Sequence, residues 1–172
     1  DFDTTSELTD SADQVVLSAR SKRIAFDSFA IARGEAPVPR GVTFVRSVGR
    51  CEADIVGTGF ASLYVISARL VDGLTSDGVT GWRSTPIRFE NGEMPDGAYH
   101  ALSITGRCGQ ISYDMSAVIE KRGYGSRKAK WWRGSYFDPK TWDGSDMFTP
   151  VNWATVFMVA HVREMLRLYD LD

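Results

Sequence analysis

The 172-residue sequence is short of the groups that chemistry most often needs. Its only imidazoles are His100 and His161, which excludes a His-rich metal site. Its two cysteines, Cys51 and Cys108, lie far apart with no CxxC spacing. They read as buried thiols or as one disulfide in an oxidising compartment. No His stands near either Cys in sequence, and no Ser sits in a G-x-S-x-G elbow, so no nucleophilic motif is visible. No apolar run approaches the roughly 20 residues that cross a bilayer. No charged n-region and apolar h-region open the chain, which begins with Asp1. A natural start upstream of Asp1 is expected. Charge of either sign is not in excess. The 20 basic and 22 acidic residues leave −2, against the basic surplus of most phosphate-backbone binders.

What is present fits one soluble domain spanning 1–172, with residues 1–13 polar, acidic and frayed. The hydrophobic share of 43% and charged share of 24% are those of an ordinary globular chain. A chain of this length buries a core without help from a metal or disulfide. Five Trp fill that core or mark a partner surface. One basic cluster stands out: Lys121, Arg122, Arg127, Lys128, Lys130 and Arg133, ending in Trp131 and Trp132. The ordinary reading of such a run is a solvated loop.

Local patterning is clearest in "FASLYVISARLVDGLTSDGVTGW". Leu63 to Ile66 form an apolar run that predicts a buried strand. Ser67 stands where an N-cap belongs, and Leu70, Val71 and Leu74 follow at helical spacing with Asp72 pointing away. Gly78 marks the stop. "ATVFMVAHVREMLRLYDLD" repeats the plan, with Val162, Met165, Leu166 and Tyr169 on one helical face. A shift of 92 residues places Val65 on Phe157, Ile66 on Met158, Leu70 on Val162 and Leu74 on Leu166. The match fails at the cap, where Val159 replaces Ser67. Between the copies, "PIRF" reads as extended, "ENGEMPDG" as turn and "AYHALSITGRC" as a strand. The expectation is an α+β fold: a mixed, mostly antiparallel sheet with a strand–helix unit used twice, at about 63–78 and 155–171.

"TWDGSDMF", residues 141–148, concentrates the polar candidates. Asp143 and Asp146 form an acid/base pair if a turn brings them together and raises one pKa. As a calcium loop the string fails, because Asp138, Asp143 and Asp146 have the wrong spacing and the closing Glu is missing. As a turn it fits well: Asp143-Gly144 is a turn dipeptide, and short polar side chains bond nearby backbone N–H groups. As a recognition surface it offers Trp142, Asp143 and Asp146 beside Trp131, Trp132 and Tyr136. An acidic patch of this kind steers toward a basic partner.

Three stretches together resemble a known family: "YVISARLVDGLTSDGVTGWRSTPI", "YHALSITGRCGQIS" and "WWRGSYFDPKTWDGSDMF", followed by the second strand–helix copy. The resemblance is to the bacterial immunity-protein family of polymorphic toxin systems, first catalogued as a domain of unknown function. It covers roughly residues 51–172. Members carry a "VSxRLxDxLxxxGxTG" element, "GR" and "WDGSD" stretches, and a closing "VxxxLxxxxLTN" element. This chain departs from the pattern at Ala160 and His161, and it stops at Asp172 inside the last element, so a C-terminal truncation is expected. The resemblance implies a cytoplasmic, non-catalytic protein that binds and neutralises a cognate toxin domain. It implies no cofactor or metal, and neither nucleic acid nor membrane as a partner. Two alternatives stay open: a small enzyme with an acidic site at Asp143 and Asp146, and an interaction or scaffold module using the basic–aromatic segment 121–137.

Overall fold

The computed structural model describes residues 16–20, 26–40, 42–48, 53–60, 62–90, 94–95, 97–112, 114–115, 117–122, 128–133, 135–151 and 155–169. Residues 1–13, Cys51 and the last residues of the second strand–helix copy lie outside them. The elements run β1 (Val16–Arg20), α1 (Ser28–Ala32), β2 (Thr43–Val48), β3 (Ile55–Thr58), β4 (Tyr64–Ser67), α2 (Ala68–Ser76), β5 (Trp82–Pro86), β6 (Tyr99–Ile104), β7 (Gly106–Cys108), β8 (Ala117–Arg122), β9 (Lys128–Arg133), β10 (Met147–Pro150), β11 (Phe157–Met158) and α3 (Ala160–Arg167). This is the α+β architecture expected. Among the described residues, no helix is long and apolar enough to cross a membrane.

The main sheet has six strands in the order β2-β1-β3-β4-β6-β5, antiparallel except for the β1–β3 pair. Its central strands put alternate residues on opposite faces, and each face has its own core. Val56, Val65, Tyr99 and Ala101 join Ile31, Phe44 and Ile87 on one side. Ile66, Leu102 and Ile104 join Leu70 and Leu74 of α2 and Val162, Met165 and Leu166 of α3 on the other. Burying each of these leucines is worth roughly 1.5–3 kcal/mol, so the two helical stripes are what hold α2 and α3 to the sheet.

Helix α2 starts and stops where its sequence indicates. The Ser67 hydroxyl accepts the Leu70 N–H at 3.1 Å. At the other end Gly78 adopts φ +66°, and the N–H groups of Asp77, Gly78 and Val79 bond the carbonyls of Gly73, Thr75 and Leu74. Helix α3 lacks a side-chain cap at Val159, as the comparison of the two copies indicates.

The repeated unit is longer than the sequence pattern shows. The same 92-residue shift carries β3 onto β10, β4 onto β11 and α2 onto α3. It also preserves register: Ile55 pairs with Ile66 and Met147 with Met158, while Val56 pairs with Val65 and Phe148 with Phe157. Each hairpin has a parallel strand along its first member, β1 on β3 and β7 on β10. The unit is therefore β-β-α. It begins at Asp54 in one copy and Asp146 in the other, where Ser67 N–H and Val159 N–H bond the respective Asp carbonyls at 2.9 and 3.0 Å.

Candidate functional site

The short motifs that are scattered in sequence meet at one junction. Gly144 turns the chain with φ +85°, a backbone state that glycine reaches without a Cβ penalty. The turn aims Asp143 at β7. Its carboxylate accepts the Arg107 N–H at 2.7 Å and the Ser145 N–H at 3.0 Å, and it also accepts the Ser145 hydroxyl. Asp143 N–H returns a bond to the Arg107 carbonyl at 3.1 Å. Asp146 faces the loop after α2, accepting the Thr80 N–H at 2.8 Å and the Thr80 hydroxyl at 2.7 Å. Its other carboxylate oxygen lies 3.5 Å from His161 Nε2.

Two glycines let these strands approach so closely. A Cβ on Gly81 would stand 2.0 Å from the Met147 carbonyl oxygen, and one on Gly106 would stand 2.0 Å from Ser145 Oγ. Trp142 closes the loop by donating its indole N–H to the Ser145 carbonyl at 3.0 Å. Its ring lies 5.4 Å from that of Phe148, which itself neighbours Phe137 and Phe157.

These contacts decide the electrostatics. Partial burial pushes the Asp143 carboxyl up, but the Ser145 and Arg107 hydrogen bonds and the Arg107 charge outweigh it and hold it below the usual range. The Thr80 hydrogen bonds hold Asp146 low, assisted by His161 against a smaller burial effect. Both groups are therefore hydrogen-bond acceptors. Neither carries the raised pKa that a general acid at neutral pH requires. Cys108 is a buried thiol, free among the described residues, and burial together with the Asp143 charge pushes its pKa up, opposite to an activated nucleophile.

The first copy of the unit has a matching grip that the sequence reading missed. Asp54, 5% exposed, accepts from the Ser67 hydroxyl and from the Arg69 guanidinium through both oxygens. Burial raises its pKa, and the Arg69 and Ser67 bonds overcome that and lower it. The Arg69 guanidinium also lies over the Tyr169 ring, 5.0 Å from its centre, which ties α2 to the end of α3. The 92-residue shift places Asp54 on Asp146 and Arg69 on His161. Carrying the repeat upstream by ten residues was the signal that could have found Asp54.

The other sequence candidates are not brought to this junction. Trp131 and Trp132 lie in β9, opposite Ile119 and Val118 of β8, in a two-stranded sheet of their own. Tyr136 is exposed, with its carbonyl accepting the Ser112 N–H at 2.8 Å.

Between the two copies of the unit lies an open, apolar groove of about 680 Å³. It is lined by equivalent positions of both: Ile55 and Met147, Tyr64 and Val156, Ile66 and Met158, Leu74 and Leu166. Exposed Phe29 of α1 and Tyr64 stand at it. Among the described residues, no three His, Cys, Asp or Glu side chains group as a metal ion needs. No family model matches this chain, and no curated protein matches it as a relative.

Proposed function

We propose that this chain is a cytoplasmic, non-catalytic immunity-type protein that binds and neutralises a cognate bacterial toxin domain. One observation carries the reading. The "TG", "GR" and "WDGSD" stretches behind the family resemblance converge on one junction, where Thr80 bonds Asp146 and Arg107 bonds Asp143. The Thr80–Asp146 bonds hold the two β-β-α units together, and the Arg107–Asp143 bonds hold β7 to the turn before β10. The motifs mark a scaffold, and the scaffold leaves an apolar groove and exposed aromatics such as Tyr64 and Tyr136 for a protein partner.

The test is co-expression with the toxin domain encoded beside the gene. The expected outcome is relief of toxicity and a complex that survives gel filtration. An Asp143→Asn, Asp146→Asn double variant that keeps its fold should still relieve toxicity. A folded double variant that instead loses a measurable catalytic turnover makes the acidic pair an active site and overturns the reading.

A further inference from the structure

Three guanidiniums converge on the turn that follows α1. Arg107 of β7 donates to the Arg33 carbonyl, Arg83 of β5 donates to the Gly34 carbonyl, and Arg33 itself donates through Nε to Glu35 Oε1 at 2.7 Å. Three consecutive residues thus each hold one guanidinium. Arg107 is further fixed by the Ile104 and Gly106 carbonyls at 2.7 and 2.9 Å, and Arg33 by the Pro150 carbonyl at 3.3 Å. These ties come from β6, β7 and β10, so strands, not the loop alone, set the cluster in place. Gly34, at φ +67°, lets Arg83 lie against the turn, since a Cβ there would stand 3.4 Å from Arg83 Nε.

The charges at this turn do not balance. Glu35 Oε1 serves Arg33 and also, at 3.6 Å, Arg107, so three positive groups meet one carboxylate and leave an excess of two, three minus one. Asp143 also acts on Arg107, but its oxygens bond the Arg107 and Ser145 N–H groups and the Ser145 hydroxyl. The Arg33 and Arg107 side chains are only 20% and 27% exposed, so salt screens this excess less than it screens a surface charge. Burial and the Arg33 charge both push the Arg107 pKa down, as two like charges held close together require. Donors are also left over. Among the described residues, no acceptor bonds Arg33 Nη2 or the Nε and Nη1 of exposed Arg83. We infer that the turn 33–35 is a binding site for a phosphate dianion, free or as a small phosphate monoester, held by Arg33, Arg83 and Arg107. A phosphate monoester carries about −1.5 to −2 at neutral pH, which matches the excess. Guanidinium forks suit its oxygens. A carboxylate or a phosphodiester brings a single negative charge and leaves part of the excess standing. The inference does not depend on the toxin-binding reading.

The probe is inorganic phosphate, titrated into the full chain at constant ionic strength with chloride as the balance. The readout is the NMR shifts of the Arg33, Gly34 and Glu35 amides and of the Arg33, Arg83 and Arg107 guanidiniums. The expected result is a saturable shift centred on these groups, with an affinity in the millimolar range or tighter. Arg83→Gln should weaken binding about three- to tenfold, because one charge-assisted donor at an exposed position is lost. Glu35→Gln should tighten it by about threefold, because the excess grows when the competing carboxylate goes. Phenyl phosphate should bind as inorganic phosphate does. Dimethyl phosphate, a monoanion, should bind about tenfold more weakly. No saturable shift, or one affinity shared by wild type and both variants, overturns the site. Dimethyl phosphate binding as well as phenyl phosphate overturns the choice of a dianion, and the inference falls with it. If Arg83→Gln misfolds, Glu35→Gln and the diester comparison still decide.

Discussion

Thr80 and Asp146, 66 residues apart, clasp each other through three hydrogen bonds: Thr80 N–H and hydroxyl to the carboxylate, and Asp146 N–H to the hydroxyl. The pair joins the loop after α2 to the start of β10, so it couples the two β-β-α units directly. Asp146→Ala or Thr80→Val should each destabilise the fold by about 1–3 kcal/mol, since each strands polar groups of the other partner. The double variant should lose less than the sum of the two, with a coupling of about 1 kcal/mol or more. Urea unfolding of the four proteins measures this. Strict additivity would show that the clasp contributes nothing as a pair.

The glycines at the junction are a second, sterically defined test. Gly106→Ala forces a methyl to 2.0 Å from Ser145 Oγ and 2.2 Å from the Met147 carbonyl, and the second of these is backbone that cannot swing aside. Gly81→Ala adds a positive φ of +82° to the same collision. Both should cost about 1–3 kcal/mol or more through overpacking. Gly57, in β3, has nothing within 4 Å of the added atom, and its counterpart in the second copy is Thr149. Gly57→Ala should therefore be close to neutral, within about 0.5 kcal/mol. Equal melting temperatures for all three variants would remove the close approach as the reason for these glycines.

The course of the chain was legible where side-chain period speaks. The apolar run into Ser67, the stripe Leu70–Leu74 and the stop at Gly78 predict α2 correctly because cap, face and terminus are all local. The repeat was visible only across its second half, where helices impose a spacing. Its first half, β3 and β10, shares the pairs Ile55/Met147 and Val56/Phe148 but little identity, and strand pairing is a non-local fact. The junction was harder still. "WDGSD" reads as a turn and "GR" as part of a strand, and only the parallel pairing of β7 with β10 brings Arg107 to Asp143. No spacing within one motif encodes a contact between two.

The equivalence of Arg69 and His161 suggests a substitution that should strengthen the second copy. Arg69 reaches both oxygens of Asp54, whereas His161 stands at 3.5 Å from one oxygen of Asp146. A guanidinium stays charged throughout the working range and offers a fork matched to a carboxylate. His161→Arg should raise stability by roughly 0.3–1 kcal/mol, small because the site is solvent-exposed and screened. The gain should shrink in high salt and vanish in an Asp146→Asn background. A gain that survives that background would come from helix propensity, not from the ion pair.

Acid should loosen this fold through three aspartates. Asp54, Asp143 and Asp146 all titrate below the ordinary aspartate value of about 3.9 because hydrogen bonds and cations favour their charged forms. Their folded pKa values are depressed, so the unfolded chain binds more protons than the folded one across the window between the two. Stability from these groups is present above about pH 3.9 and is lost as pH falls through the folded values. Cys108 gives the opposite limb: its folded pKa is raised, so stability declines as pH climbs past about 8.5, where the unfolded thiol ionises. Melting temperature followed from about pH 2.5 to about pH 9.5 should thus show a plateau with two falling sides. Asp146→Asn should flatten the acid side in part, and Cys108→Ala should flatten the alkaline side alone. An acid limb unchanged by Asp146→Asn would mean that this carboxylate is no better stabilised in the folded chain than in the unfolded one, and the Thr80 clasp would lose its electrostatic role.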